Sequence, residues 1–126
     1  MRKILLVDDD RNIKALIEIA LKEQGFEILT ATKYLEIEKI LSNEEIALVL
    51  LDLNLPEMPG SEILSRTLNK FPGLKIIIVS ASHSLEQAVA LMKAGAKDYL
   101  AKPFTQKQVV EKVSEVLSLQ DENKKN

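Results

Sequence analysis

Five short apolar runs, each followed by a stretch with helical periodicity, constrain this chain more than any other feature. The runs are Lys3–Val7, Glu27–Ala31, Ala47–Leu51, Lys75–Val79 and Asp98–Leu100. They are rich in Ile, Leu and Val, and several are continuous rather than alternating. Such runs predict strands covered on both faces, as in a parallel sheet. The intervening segments read as helices. Ile13, Leu16, Ile17, Ala20 and Leu21 fall at i, i+3, i+4, i+7 and i+8, with Asp10 as N-cap and Gly25 as the stop. Thr32–Leu41 is a weaker helix carrying Ile37, Ile40 and Leu41. Ser61–Asn69 carries Ile63, Leu64 and Leu68 and ends before Pro72–Gly73. Leu85, Ala88, Val89 and Met92 form a stripe expected to face the core, opened by a Ser84/Gln87 capping box and closed by Gly95. Thr105/Gln108 is a second capping box, opening a helix with Val109, Val113, Val116 and Leu117. The alternation predicts an α/β fold. Right-handed crossovers between parallel strands place helices on both faces of a doubly wound five-stranded sheet, a three-layer α/β/α arrangement.

A chain of 126 residues with 46% hydrophobic content suits one domain, expected over 1–119. The final stretch 120–126, QDENKKN, reads as a polar tail or the start of a linker. Seventeen Lys and Arg against nineteen Asp and Glu give a net charge of −2, with no overall signature for direct nucleic-acid binding. The absence of cysteine excludes disulfides, zinc–thiolate sites and thiol nucleophiles, and a single histidine argues against a multi-histidine metal centre. The apolar run Ile4–Val7 meets Asp8 too soon for a secretory signal, and none approaches the ~20 residues that span a bilayer. The expectation is a cytoplasmic protein with no membrane partner.

Doubly wound sheets bind ligands beyond the C-terminal ends of their strands. Here the first strand runs into Asp8–Asp9–Asp10, the third into Asp52 with Asn54 two residues on, the fourth into Ser80–Ala81–Ser82, and the fifth into Lys102–Pro103. Any one of these is accounted for by the ordinary polarity of loops. The set is not, because Asp52 interrupts Leu50–Leu51–Asp52–Leu53, where an uncompensated carboxylate is costly. Carboxylates sharing a site repel one another, and a divalent cation relieves the repulsion. Oxygen donors without nitrogen or sulfur make Asp8, Asp9 and Asp52 a site for Mg²⁺ (or Mn²⁺) rather than zinc. A phosphoryl group arriving there would meet a metal, a lysine and a hydroxyl, all able to stabilise charge on its oxygens. A carboxylate nucleophile needs no general base at neutral pH. Asp52, alone on its strand end, is the best candidate, and the adjacent Asp8 and Asp9 are better suited to holding metal.

The chain resembles the response-regulator receiver domain of two-component signal transduction. The resemblance rests on Ile4-Leu5-Leu6-Val7-Asp8-Asp9-Asp10, Leu50-Leu51-Asp52-Leu53-Asn54-Leu55-Pro56, Ile78-Val79-Ser80-Ala81, and Gly95-Ala96-Lys97-Asp98-Tyr99-Leu100-Ala101-Lys102-Pro103-Phe104, in that order. It implies strand order 2-1-3-4-5, an order known for flavodoxin-like folds. It implies phosphorylation of Asp52 by a phosphohistidine of a sensor histidine kinase or phosphotransfer protein. Asp9 would bind Mg²⁺ directly, Asp8 largely through water, and the Asn54 backbone carbonyl would be a further ligand. Lys102 and the Ser80 hydroxyl would contact phosphoryl oxygens, Ala81 would offer a backbone N–H, and Lys102–Pro103 would be cis. Ser80 and Tyr99 would move on phosphorylation and change the surface of the fourth helix, fifth strand and fifth helix. Two features depart from the family pattern: the turn Pro56-Glu57-Met58-Pro59-Gly60, with proline before the glycine, and Tyr34–Leu35 in the second helix.

On the fourth helix, Ala90, Leu91 and Ala94 are expected to point away from the core, offering a docking or dimer surface for an effector domain, a target protein or a second copy. A plain helix-forming surface is the alternative. The pattern Glu-x-Ala-Val at Glu86–Val89 with Gly95–Leu100 resembles receivers of transcription regulators, and a stand-alone regulator fits nearly as well. His83 lies in a serine-rich turn and reads as a solvated loop residue, not a phosphoacceptor. An aspartate-nucleophile phosphatase is disfavoured, because Asn54 stands where that class has its general acid. A flavin or nucleotide site is disfavoured by the acidic first loop.

Overall fold

The computed structural model describes the backbone of residues 2–125 and the side chains of residues 2–118, so the tail expected over 120–126 lies outside the fully described residues. Its elements are β1 (Lys3–Val7), α1 (Arg11–Glu23), β2 (Glu27–Ala31), α2 (Tyr34–Asn43), β3 (Leu48–Asp52), α3 (Gly60–Lys70), β4 (Ile76–Ser80), α4 (Leu85–Lys93), β5 (Asp98–Ala101) and α5 (Gln106–Lys125). The strands pair in parallel in the order β2-β1-β3-β4-β5. The predicted doubly wound α/β/α fold is what forms.

The continuous apolar runs have a simple cause. Successive strand side chains point to opposite faces, so a strand covered twice needs apolar residues at every position. Ile4, Leu6, Leu48, Leu50, Ile77 and Val79 pack with Ile17 and Leu21 of α1 and with Val109, Val113, Val116 and Leu117 of α5. Their neighbours Leu5, Val7, Val49, Leu51, Ile76 and Ile78 pack on the other face with Ile37 of α2, Ile63 and Leu64 of α3, and Leu91 of α4.

The helix ends follow local chemistry. Asp10 caps α1, its side chain accepting from the N–H groups of Asn12 at 2.8 Å and Ile13 at 3.3 Å. Gly25 closes that turn with φ of 91°. Thr105 and Gln108 form a reciprocal capping box, at 2.8 Å and 3.1 Å. Ser84 accepts from Gln87 N–H at 3.2 Å, but its own N–H donates to Ser82 Oγ, so only half of the second expected box exists. The second helix starts at Tyr34 rather than Thr32, because Lys33 is extended and Glu36 Oε1 draws in the N–H groups of both Thr32 and Lys33, each at 3.1 Å.

Two further sequence expectations need correction. β3 and β4 lie one residue later than expected, so Asp52 and Ser80 are the last residues of their strands and not the first of their loops. The face of α4 is also different. Leu91 is buried, and Leu85, Val89 and Met92 are 77%, 43% and 40% exposed. Ala90 and Ala94 are exposed, as expected. The helix is short and apolar nearly all round, so periodicity does not select a face. The packing of Leu91 and Ala96 with the α2–α3 side of the core does.

Gly60, first residue of α3, lies against Leu53. A Cβ there would stand 2.6 Å from Leu53 Cα and 2.5 Å from Leu53 Cδ2. Backbone cannot give way as a side chain can, so Gly60→Ala should destabilise the chain by about 1–3 kcal/mol. Gly73→Ala is not an equivalent control, because its φ of 92° disfavours any side chain despite open space. Urea unfolding measures the effect of Gly60→Ala. An unchanged midpoint would mean that the loop between β3 and α3 can open without cost.

Candidate phosphoryl and metal site

The acidic candidates, Ser80 and Lys102 lie at the C-terminal edge of the sheet, while Tyr99 lies within β5. Asp8 follows β1 and is fully buried; Asp52 and Ser80 close β3 and β4 and are each 2% exposed. Lys102 follows β5, its backbone N–H donating to the Ser80 carbonyl at 2.8 Å. That bond brings the lysine beside the acidic residues. Its Nζ stands 3.5 Å from Asp8 Oδ2 and 3.5 Å from Asp52 Oδ2. Lys102–Pro103 is cis.

One ammonium thus serves two buried carboxylates, and a third is close. Oxygens of Asp8, Asp9 and Asp52 all lie within 4.8 Å of one another, with Asp9 exposed. Asp8 Oδ1 accepts from Asp10 N–H at 2.8 Å, but Oδ2 lacks a hydrogen-bond partner among the described residues. At 3.5 Å the Lys102 contact is an ion pair without good hydrogen-bond geometry. Burial pushes the Asp8 carboxyl above its ordinary value, and the Asp52 charge adds to the rise. The Asp10 N–H and then Lys102 oppose it. A buried, unpartnered carboxylate oxygen among hard oxygen donors fits Mg²⁺ or Mn²⁺.

The remaining candidates flank this centre. Asn54 is exposed, and its N–H donates to Asp52 Oδ1 at 3.1 Å, folding the loop back over the carboxylate. Ser80 Oγ accepts from Ser82 N–H at 3.1 Å, and Tyr99 Oη donates to the Ser82 carbonyl at 2.8 Å. Ala81 is exposed between them, and His83 is exposed in the same loop. Ser82, which the sequence placed in the polar strand-end run without a role of its own, therefore joins both expected switch residues. Its signal was the spacing Ser80-x-Ser82-x-Ser84. The Ser80 and Ser82 hydroxyls each accept from the N–H two residues on, and Ser84 caps α4 by accepting from the N–H three residues on.

Among the described residues no helix is long and apolar enough to cross a membrane. The model of the response regulator receiver domain matches residues 4–114. A Rickettsia felis protein described as an NtrX-like response regulator is 36% identical over 125 residues, which are 95% of this chain and 26% of that protein. The chain thus spans about a quarter of that curated relative. A CheY-like receiver domain protein from Methanospirillum hungatei is 35% identical with a TM-score of 0.89, and 98% of each chain is covered. NtrX from Brucella abortus is 26% identical with a TM-score of 0.90, covering 98% of this chain and 29% of that one. The family match over residues 4–114 and the strand order agree, and the chain belongs to the receiver domain family of two-component response regulators.

Proposed function

We propose that the chain is a phosphorylation switch that takes a phosphoryl group onto Asp52 from a phosphohistidine of a sensor histidine kinase or phosphotransfer protein. The observation that carries the reading is the position of Asp52. It is buried, 3.5 Å from a lysine, and within 4.8 Å of two further aspartates. The new bond joins an Asp52 oxygen to phosphorus as the phosphorus–nitrogen bond to the histidine breaks. The released imidazole takes up a proton from solvent. Asp8, Asp9, Asp52 and the Asn54 carbonyl hold the cation, which when bound offsets the negative charge gathered around the phosphoryl group. Lys102 provides a second positive charge in the same place. Ser80 Oγ donates to a phosphoryl oxygen, and the Ala81 N–H to another. The chain catalyses only its own phosphorylation and dephosphorylation and has no separate substrate.

Recruiting Ser80 toward the phosphoryl group breaks its bond with Ser82, and Tyr99 shares that residue. The outcome is a changed surface across α4, β5 and α5. Leu85, Val89 and Met92 are exposed there, beside an open hollow of about 390 Å³ that Leu85, Val89 and Ala90 line. This surface suits an effector domain, a target protein or a second phosphorylated copy. The greater length of the NtrX-like relative supports an effector domain and a role in transcription regulation. The location proposed is the cytoplasm, where the phosphate donors are.

Incubation with acetyl phosphate and Mg²⁺ is expected to add one hydroxylamine-labile phosphoryl group per chain, seen by intact mass. Chelation of the metal should prevent it. Equal incorporation in the presence of chelator would defeat the proposed site.

A further inference from the structure

The loop between β3 and α3 carries Asn54, and it is fastened at two places. At its base, Gly60 packs on Leu53 so closely that no Cβ fits between them. At its tip, Glu57 reaches across to another element. Its Oε1 accepts from the backbone N–H of Tyr34, the first residue of α2, at 3.0 Å. That N–H would otherwise want a cap. Lys33, at the N-cap position, makes no side-chain capping bond, and Glu36 is already engaged with Thr32 and Lys33. A carboxylate is the favourable partner at a helix N-terminus.

The anchor is itself held. Arg66 of α3 lies over the Tyr34 ring, 5.7 Å from its centroid, and Lys70 of α3 pairs with Glu38 of α2. Pro56 and Pro59 limit the backbone on either side of Glu57. Only Leu55 and Pro56 separate Glu57 from Asn54, and Leu55 is buried. Holding the tip therefore restrains the segment that presents the Asn54 carbonyl.

We propose that Glu57 is a positioning residue for the cation site, fixing the Asn54 segment by its bond to the N-terminus of α2. The inference rests on the proposed function of the same site, and its test separates the two. The apparent Mg²⁺ half-saturation of acetyl-phosphate labelling would be measured for the wild type, Glu57→Ala, Glu57→Gln and Glu36→Ala, with unfolding followed in parallel. Glu57→Ala should raise the half-saturation roughly fivefold, the loss expected of one hydrogen bond. Its rate at saturating Mg²⁺ should stay near that of the wild type. Glu57→Gln keeps an acceptor oxygen and should stay within about twofold of the wild type. Glu36→Ala removes caps from the same helix end and should lower stability while leaving the Mg²⁺ dependence alone.

If Glu57→Gln loses as much as Glu57→Ala, the effect is long-range charge and the latch is wrong. It is also wrong if Glu57→Ala binds Mg²⁺ like the wild type, or if Glu36→Ala weakens Mg²⁺ equally. A wild-type chain with no Mg²⁺-dependent labelling would instead overturn the functional reading itself.

Discussion

Asp52→Ala is expected to abolish phosphoryl incorporation from acetyl phosphate, lowering the initial rate by roughly 10³-fold or more. The size of the effect follows from the lack of a substitute. Asp8 is fully buried and has one oxygen tied to the Asp10 N–H, which leaves it poorly placed to attack an incoming phosphoryl group. Asp9 is exposed, and among the described residues Lys102 pairs with Asp8 and Asp52 and not with Asp9. Removing Asp52 takes one carboxylate from a centre with a single ammonium, so the variant should remain folded. A urea transition at or above the wild-type midpoint would confirm that lost labelling is a chemical effect. Ser80→Ala offers a contrast. It keeps the nucleophile, the metal ligands and Lys102, so it should still be labelled while responding less to phosphorylation. Labelling of Asp52→Ala at the wild-type rate would place the phosphoryl group elsewhere and sink the assignment.

The sheet was legible because parallel strands leave a coarse signal. Ile4 to Val7 is apolar throughout since both faces of β1 are covered, and the abrupt stop at Asp8 keeps the run at strand length. The acidic residues of the site were legible for the opposite reason. Asp52 in the sequence Leu50–Leu51–Asp52–Leu53 is a charge where only apolar groups are affordable, so it had to have a purpose. The face of α4 was not legible. Leu85, Val89, Leu91 and Met92 offer two overlapping stripes, and the choice between them is made by the sheet, not by the helix. Glu57 was also invisible as a functional residue. Its partner is a backbone N–H distant in sequence, and a backbone donor leaves no mark on the sequence at either end. Ser82 shows the intermediate case, with a spacing that could be read only by asking what each hydroxyl would accept.

Asp8→Asn should stabilise the metal-free chain and remove most of its response to Mg²⁺. The wild-type carboxylate is fully buried, has one oxygen without a hydrogen bond, and shares Lys102 with Asp52. Removing such a charge is expected to add about 1–3 kcal/mol, or roughly 5–10 °C at this chain length. The pH dependence gives the sharper check. Because the native carboxyl of Asp8 is raised above its ordinary 3.8, the unfolded chain releases this proton at a lower pH than the native one. Between the two values the native state binds more protons, so this group's contribution to stability falls as pH rises. Below 3.8 the penalty is absent, and above the raised native value it is complete. Glu36, held low chiefly by the Thr32 N–H, acts in the opposite sense. It is present in both proteins and cancels in their difference. The gap between Asp8→Asn and the wild type in chelator should therefore open as pH rises from acid toward neutral, then level off. Saturating Mg²⁺ should close the gap from the wild-type side. A cation at ten times its dissociation constant adds about 1.4 kcal/mol to the protein that binds it. Thermal melts across pH, with chelator and with Mg²⁺, measure all of these effects. A gap that is constant with pH would mean that Asp8 carries no native penalty. A variant as responsive to Mg²⁺ as the wild type would mean that Asp8 does not help to hold the ion.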